Sequence, residues 1–321
     1  MNILNRRDFL AAATLSALAG TAMAQGAAAG RPLRIVTTLP PGGAADSTAR
    51  FIAAKLSESG KRVAMVDSRP GGNGIIGVRA VLGAPANGET ALMGGPSTMI
   101  TNAAVISNLP YNPMTDFKPV AGLSRYDTAI VVAASSPVQS FADLVALAKR
   151  RKLNYGAGTA TYQVAIELIK RAAGFDATAI PYKGTAPTLT DLIGNQIDFT
   201  PAEISGVLGL AREGRVRIIA TCGTTRAAEL PNVPTLVELG YKDIVVYGWL
   251  GIFMSAKVPD DQVREFSQAL LAIMRTPEAI EFVRGQGGEV WASNQDEFRQ
   301  FLTREMEMTR NVVKAAGIHV E

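Results

Sequence analysis

The sequence predicts an α/β protein, mostly parallel sheet flanked by helices, in about two domains. Three observations carry this. Short apolar, β-branched runs alternate with stretches whose apolar residues recur at helical spacing, from Leu33 onward. The 321 residues are 47% hydrophobic and 19% charged, enough to bury cores for about two ordinary domains. Two strongly apolar strands, at residues 128–134 and 247–253, bracket the middle of the chain. They read as a crossover into a second domain and the return from it.

Residues 1–24 read as an export leader. Arg6-Arg7 open it, residues 9–19 are a short apolar stretch, and Ala22-Met23-Ala24 is a small-x-small cleavage site before Gln25. Asn5-Arg6-Arg7-Asp8-Phe9-Leu10 fits the twin-arginine pattern. The rival, a retained anchor, is disfavoured because the stretch is short for a bilayer and the cleavage site is clean. The expected location of the mature chain is a bacterial periplasm.

The first βα unit is the most informative. A strand at residues 33–39 runs into Leu39-Pro40-Pro41-Gly42-Gly43. Ala45, Ala49, Ile52, Ala53 and Leu56 then mark a helix. The prolines restrict the turn, and the glycines let a ligand approach the backbone. The helix start offers unpaired N–H donors and a positive dipole end, suited to a carboxylate or phosphate. The alternative is a plain βα turn whose glycines only satisfy positive φ. Asp46 reads as a helix cap before it reads as a ligand contact, because a carboxylate repels an anionic ligand.

A second strand at residues 62–66 leads into Gly72-x-Gly74-x-x-Gly77, which matches a dinucleotide fingerprint only weakly. Gly95, Pro96 and Ser97 stand where its acidic ribose partner belongs. A third strand at 89–93 ends in Ser97 and Thr98, hydroxyls able to reach a ligand at the sheet edge or to cap the next helix. Residues 110–119 read as a proline-rich connection.

Past the crossover, Ser140-Phe141-Ala142-Asp143 opens a helix as a capping box. Leu153-Asn154-Tyr155 then leads into Gly156-Ala157-Gly158-Thr159-Ala160-Thr161, a second glycine- and hydroxyl-rich turn at a helix start, and that helix stops at Gly174. Two such turns facing each other would make a two-sided anion clamp. Strands follow at 179–182, 197–200 and 216–222, with helices at 188–193 and 204–212. Residues 230–235 form an extended linker. After the return strand come a helix from Pro259 to about Arg275 and a last amphipathic helix capped at residues 293–296 and ended by Gly317.

The remaining composition prunes function. The net charge of +4 is spread without a basic run, which argues against a nucleic-acid surface. Cys222 is the only cysteine and falls in an apolar strand, so it reads as a core residue. His319 is the only histidine, so a Ser-His-Asp triad or multi-histidine metal site is not expected. There is no Gly-x-Ser-x-Gly elbow. No catalytic residue, cofactor or metal is assigned.

Taken together, Leu39-Pro40-Pro41-Gly42-Gly43-x-x-Asp46-x-x-Ala49-Arg50, Arg69-Pro70-Gly71-Gly72-Asn73-Gly74-Ile75-Ile76-Gly77, Pro181-Tyr182-Lys183-Gly184-Thr185-Ala186-Pro187 with Asp191-Leu192, Leu230-Pro231-Asn232-Val233-Pro234-Thr235 and Gly248-Trp249-x-Gly251 span the mature chain in order. The chain resembles the extracytoplasmic solute-binding receptors of tripartite tricarboxylate transporters, the Bug-type family. The resemblance implies a type II periplasmic-binding-protein fold with two interlobe crossovers. Lobe I would take residues 25–126 and 248–321, and lobe II residues 127–247. It implies a monomer that binds a small carboxylate in the interlobe cleft and serves integral membrane transporter subunits. Carried over by position, the contacts would be Pro41, Gly42, Gly43, Asp46, Ser97 and Thr98 from lobe I. From lobe II they would be Gly158, Thr159, Ala160, Thr161, Gln163, Tyr182 and Lys183. Lys183 reads equally as a solvated strand-end lysine. The chain departs from the family at Gln163-Val164-Ala165-Ile166-Glu167, where His-Leu-Ala-Gly-Glu is frequent, and at Ala202, which is less polar than expected. A sensor of the same fold and an exported hydrolase are the rival functions.

Overall fold

The computed structural model describes residues 32–318 apart from Pro40, Lys61, Lys183 and Asp243. The leader, Lys183 and His319 therefore lie outside the described residues. Strand β1 (Leu33–Thr37), helix α1 (Ala44–Glu58), β2 (Ala64–Ser68), α2 (Ile75–Leu82) and β3 (Thr90–Gly94) form the opening βαβαβ unit. β1 pairs parallel with β2 (Leu33↔Ala64) and with β3 (Arg34↔Thr90), so the C-terminal ends of β1 and β3 lie side by side. A π-helical turn, Ser97–Thr101, follows β3 and runs into the short helix α3 (Asn102–Val105).

The middle of the molecule is organised by one long strand, β4 (Phe117–Ala133). Its first part pairs antiparallel with β9 (Tyr247–Ser255), from Phe117↔Ser255 to Asp127↔Tyr247, and with β10 (Gly288–Ser293). Its second part pairs antiparallel with β7 (Thr200–Glu203) and β8 (Val216–Thr221). The partners change between Asp127 and Thr128. The sheet order is β10-β4-β9-β3-β1-β2, with β7 and β8 joined to the far end of β4. β5 (Leu153–Ala157) and β6 (Ala177–Pro181) pair parallel, and an isolated bridge from Tyr155 to Phe199 ties them to the segment before β7. The βα units thus give the expected parallel pairs, and the crossover strands add antiparallel ones.

Several sequence expectations change here. Residues 117–119 belong to a strand, not to a connection, and the strand expected at 128–134 is the second half of β4. Lys118, Ser124, Arg125 and Asp127 break the apolar run, and Pro119 argues against a central strand. Pro119 is accommodated at a register shift between Pro119 and Ala121, where the ladder does not need its missing N–H. The strand expected at 197–200 lies at Thr200–Glu203. The sequence reading also missed α9 (Pro277–Gly285), although Thr276 caps it by accepting from the Ala279 N–H and Pro277 occupies its first turn.

Apolar residues from 33–126 and 250–283 pack together around Ile35, Ile52, Leu123, Ile252 and Phe266. Trp249, Phe253, Phe298 and Met306 join Val36 and Leu92 on the other face of that sheet. Residues 129–244 build separate cores around Phe141, Tyr155, Ile166 and Phe199 and around Leu192 and Val207. Each fully buried large side chain contributes on the order of 1.5–3 kcal/mol. Cys222 is fully buried in the core, and burial pushes its thiol up. The caps follow the sequence: Ser140 accepts from the Asp143 N–H, Asn294 and Glu297 form a capping box, and Gly174 and Gly317 end their helices in the left-handed region.

Candidate functional site

The ends of β1 and β3 deliver two loops to one edge of the sheet, as open α/β sheets do at their ligand sites. Pro41, Gly42 and Gly43 are exposed there. Asp46 is buried behind them at 5% exposure. Its Oδ2 accepts from the Gly42 N–H (3.2 Å) and Arg50 Nε (2.9 Å), and its Oδ1 from Ser68 Oγ (3.4 Å). The Arg50 hydrogen bond holds the Asp46 carboxyl below the usual carboxylate range. Asp46 therefore braces the turn from inside and occupies the Gly42 N–H, leaving the first N–H groups of α1 as the outward donors.

Thr98 is also turned inward. It is 3% exposed, and its hydroxyl stays within hydrogen-bond range of the Gly95 backbone (3.4 Å). Its methyl fills the space over Gly74. A Cβ on Gly74, where φ is +85°, would stand 2.5 Å from Thr98 Cγ2 and 3.2 Å from Thr38 Cβ. One on Gly77 would stand 2.9 Å from Thr38 Cγ2. The glycines of the dinucleotide-like motif are thus accounted for by loop packing. Asn102 Nδ2 donates to the Asn73 carbonyl (2.8 Å) and Tyr111 Oη to the Thr98 carbonyl (2.6 Å), fixing the same loops.

The second turn sits at the end of β5. Thr159 caps α5 (Ala160–Ala173) by accepting from the Tyr162 N–H (3.2 Å). Gly158 is required by close approach: a Cβ would lie 3.0 Å from the Gly184 carbonyl, and the Gly184 N–H donates to the Gly158 carbonyl (3.1 Å). Ala160, Thr161 and Gln163 follow on the first turn, partly buried. Tyr182 is drawn away: its hydroxyl donates to Asp191 Oδ2 on α6 (Thr185–Ile193) at 2.7 Å. Burial and that carboxylate push its phenol up to about 12.

The loop after β3 meets the second turn through hydroxyls. Thr161 Oγ1 lies 3.3 Å from Ser97 Oγ and 2.9 Å from Thr101 Oγ1. Next to this contact, between α5 and α10 (Gln295–Ala316), is an apolar cavity of about 40 Å³ bordered by Val164, Leu168, Val246 and Val312. Glu305 also faces it, and burial pushes its carboxyl up to about 7.

Sequence reasoning missed Thr101, Tyr162 and Glu203. Thr101 lies one helical turn after Ser97, a spacing that could have flagged it. Tyr162 and Glu203 come together only through the fold. Glu203 is the last residue of β7 and stands beside Tyr162, Tyr126 and Gly248. Its carboxyl is shifted up by burial. Tyr126 is 2% exposed, with its hydroxyl 3.5 Å from Thr48 Oγ1 on α1. Among the described residues, no three His, Cys, Asp or Glu side chains group to hold a metal ion, and no helix is long and apolar enough to cross a membrane.

A family model described as the tripartite tricarboxylate transporter family receptor matches residues 48–318. The chain is 33% identical over 234 residues to a protein of the UPF0065 group from Bordetella bronchiseptica, covering 72% of this chain and 70% of that one. It is 27% identical to BugT of Bordetella pertussis, covering 89% and 90%. Among solved structures, Rpa4515 of R. palustris with adipate is similar at a TM-score of 0.79 and 30% identity, covering 90% of this chain and 98% of that one. The periplasmic binding protein BugD shares the fold at a TM-score of 0.76 and 24% identity, covering 90% and 99%. With the match running from helix α1 to the end of α10, the chain belongs to the tripartite tricarboxylate transporter receptor family and is a solute-binding receptor, not an enzyme.

Proposed function

We propose that this receptor captures a small carboxylate between two lobes and delivers it to membrane subunits of a tripartite tricarboxylate-type transporter. Lobe I takes residues 25–126 and 248–321, and lobe II residues 127–247. The observation that carries this reading is the meeting of Ser97 and Thr101 with Thr161, which sets the loop after β3, the neighbour of the first turn at the sheet edge, against the start of α5. N–H donors at the start of α1 and around residues 159–162 then take the ligand carboxylate from opposite sides, helped by both helix dipoles. Pro41 and Gly43 leave the first turn open to ligand, and Gln163 adds a neutral amide. Rpa4515, solved with adipate, supports a carboxylate as the ligand class. The leader at residues 1–24 and the family support a periplasmic location.

Binding without chemistry makes a direct test possible. Residues 25–321 are melted with a panel of mono-, di- and tricarboxylates, amino acids and aromatic acids, and hits are titrated by calorimetry. A ligand at ~100 Kd stabilises the folded state by about 2.7 kcal/mol. A hit recovered unchanged supports the reading. Silence by both methods across the panel overturns it.

A further inference from the structure

The backbone of Glu203 pairs with Thr128 in the β4–β7 ladder, but its side chain takes no part in holding the fold together. It stands at the N-cap of α7 (Ile204–Arg212), yet its side chain does not cap that helix. No described residue pairs with its carboxyl or donates a hydrogen bond to it. Its neighbours come from both lobes. Gly248 on the return strand makes room for it: a Cβ there would stand 2.9 Å from Glu203 Oε1. Tyr126 on β4 faces it from lobe I and reaches Thr48 of α1, one turn below the first ligand turn. Tyr162, on the first turn of α5, faces it from lobe II and also neighbours Cys222. Glu203 thus lies beside the start of α5 and, through Tyr126, is linked to α1. The titratable groups facing it, Tyr126 and Tyr162, are neutral phenols pushed further up by burial.

A ligand that is only a carboxylate would bring a second negative charge to this unpaired one. Arg50, on α1 behind the first turn, is already engaged by Asp46. Burial shifts the Glu203 carboxyl upward, the expected response of an acid waiting for a counter-charge. We infer, on the receptor reading above, that Glu203 is a specificity-determining contact that accepts from an ammonium group on the ligand, so that the ligand class is amino-substituted carboxylates. The carboxylate end goes to the two turns and the ammonium end to Glu203, which leaves neither charge unpaired.

The test compares amino acids with their des-amino analogues, for example glutamate with glutarate and leucine with 4-methylpentanoate, by calorimetry on residues 25–321. In the wild type, at least one amino acid should bind about tenfold or more tighter than its analogue. Glu203→Gln should erase that preference, weakening the amino acid while binding the analogue as tightly as the wild type or more tightly, because the like charge is gone. In the wild type, amino-acid affinity should rise with pH as Glu203 loses its proton, at pH values above the ordinary glutamate range. This pH profile keeps the inference testable if the variant misfolds. Equal or tighter binding of the des-amino analogues, a preference that survives Glu203→Gln, or affinity that falls with rising pH (a protonated Glu203 donating to a second carboxylate) overturns the inference and leaves the receptor reading standing. Failure of both ligand classes to bind overturns the receptor reading as well.

Discussion

Replacing Gly74 by alanine should destabilise the first ligand loops through one identifiable contact. Gly74 sits at φ +85°, a backbone region that costs an L-residue about 1–2 kcal/mol. The added Cβ would also stand 2.5 Å from Thr98 Cγ2, an overpacking worth about 1–3 kcal/mol. The single variant should therefore lose about 2–5 kcal/mol. Thr98→Ser removes that methyl and alone should lose about 1 kcal/mol. Because it also removes the clash, the double variant should lose about 1–3 kcal/mol less than the sum of the two. Urea unfolding of all four proteins, followed by circular dichroism, closes the cycle. Gly43→Ala is the control: φ is ordinary, nothing lies within 4 Å of its Cβ, and the change should stay within about 0.5 kcal/mol. Losses at Gly74 and Thr98 that add to within about 0.5 kcal/mol would refute the packing argument.

Asp46→Asn should cost about 1–2 kcal/mol at neutral pH, mostly from its hydrogen bonds within the turn, since Arg50 is exposed and their ion pair adds little. Its folded pKa is depressed, so its contribution is present above about pH 4 and lost as pH falls through the lower folded value; acid unfolding of the variant should be flatter in that window. Glu305 has the opposite sign. Its folded pKa is raised from 4.5 to about 7, so its contribution is full below 4.5 and lost as pH rises towards 7; Glu305→Gln should remove that slope from the melting temperature. Thr161→Val removes both hydroxyl contacts across the junction, each worth about 0.5–1.5 kcal/mol, and should raise the ligand-free radius of gyration in small-angle scattering.

The βα units and most helix caps were legible because each rests on local chemistry: β-branched runs, Ser140 and Asn294 before helices, glycines after them. The extent of β4 was not, because its first half is neither apolar throughout nor alternating. It holds its place through pairing with β9, a strand far away in the sequence. The site was legible to the level of its turns. Gly42, Gly43, Gly158 and Thr159 stand where such turns put them. The inward orientations of Asp46 and Thr98 and the bond from Tyr182 to Asp191 depend on neighbours the sequence does not place. Glu203 lay one residue from the departure noted at Ala202. Only the fold brings it to Gly248 and Tyr126.

The position of β9 sets the order in which this chain can be completed. β9 lies between β3 and β4, but it is made only after the whole of residues 134–246. Until it arrives, β3 and the first half of β4 keep open edges that carry Ala91-Leu92-Met93 and Val120-Ala121, all buried at the end. β7 and β8 can meanwhile finish their ladders on the second half of β4, so the inserted section can mature first and the flanking section last. Damage to β9 should accordingly lower refolding yield, through aggregation at those edges, before it lowers the melting temperature of molecules that do fold.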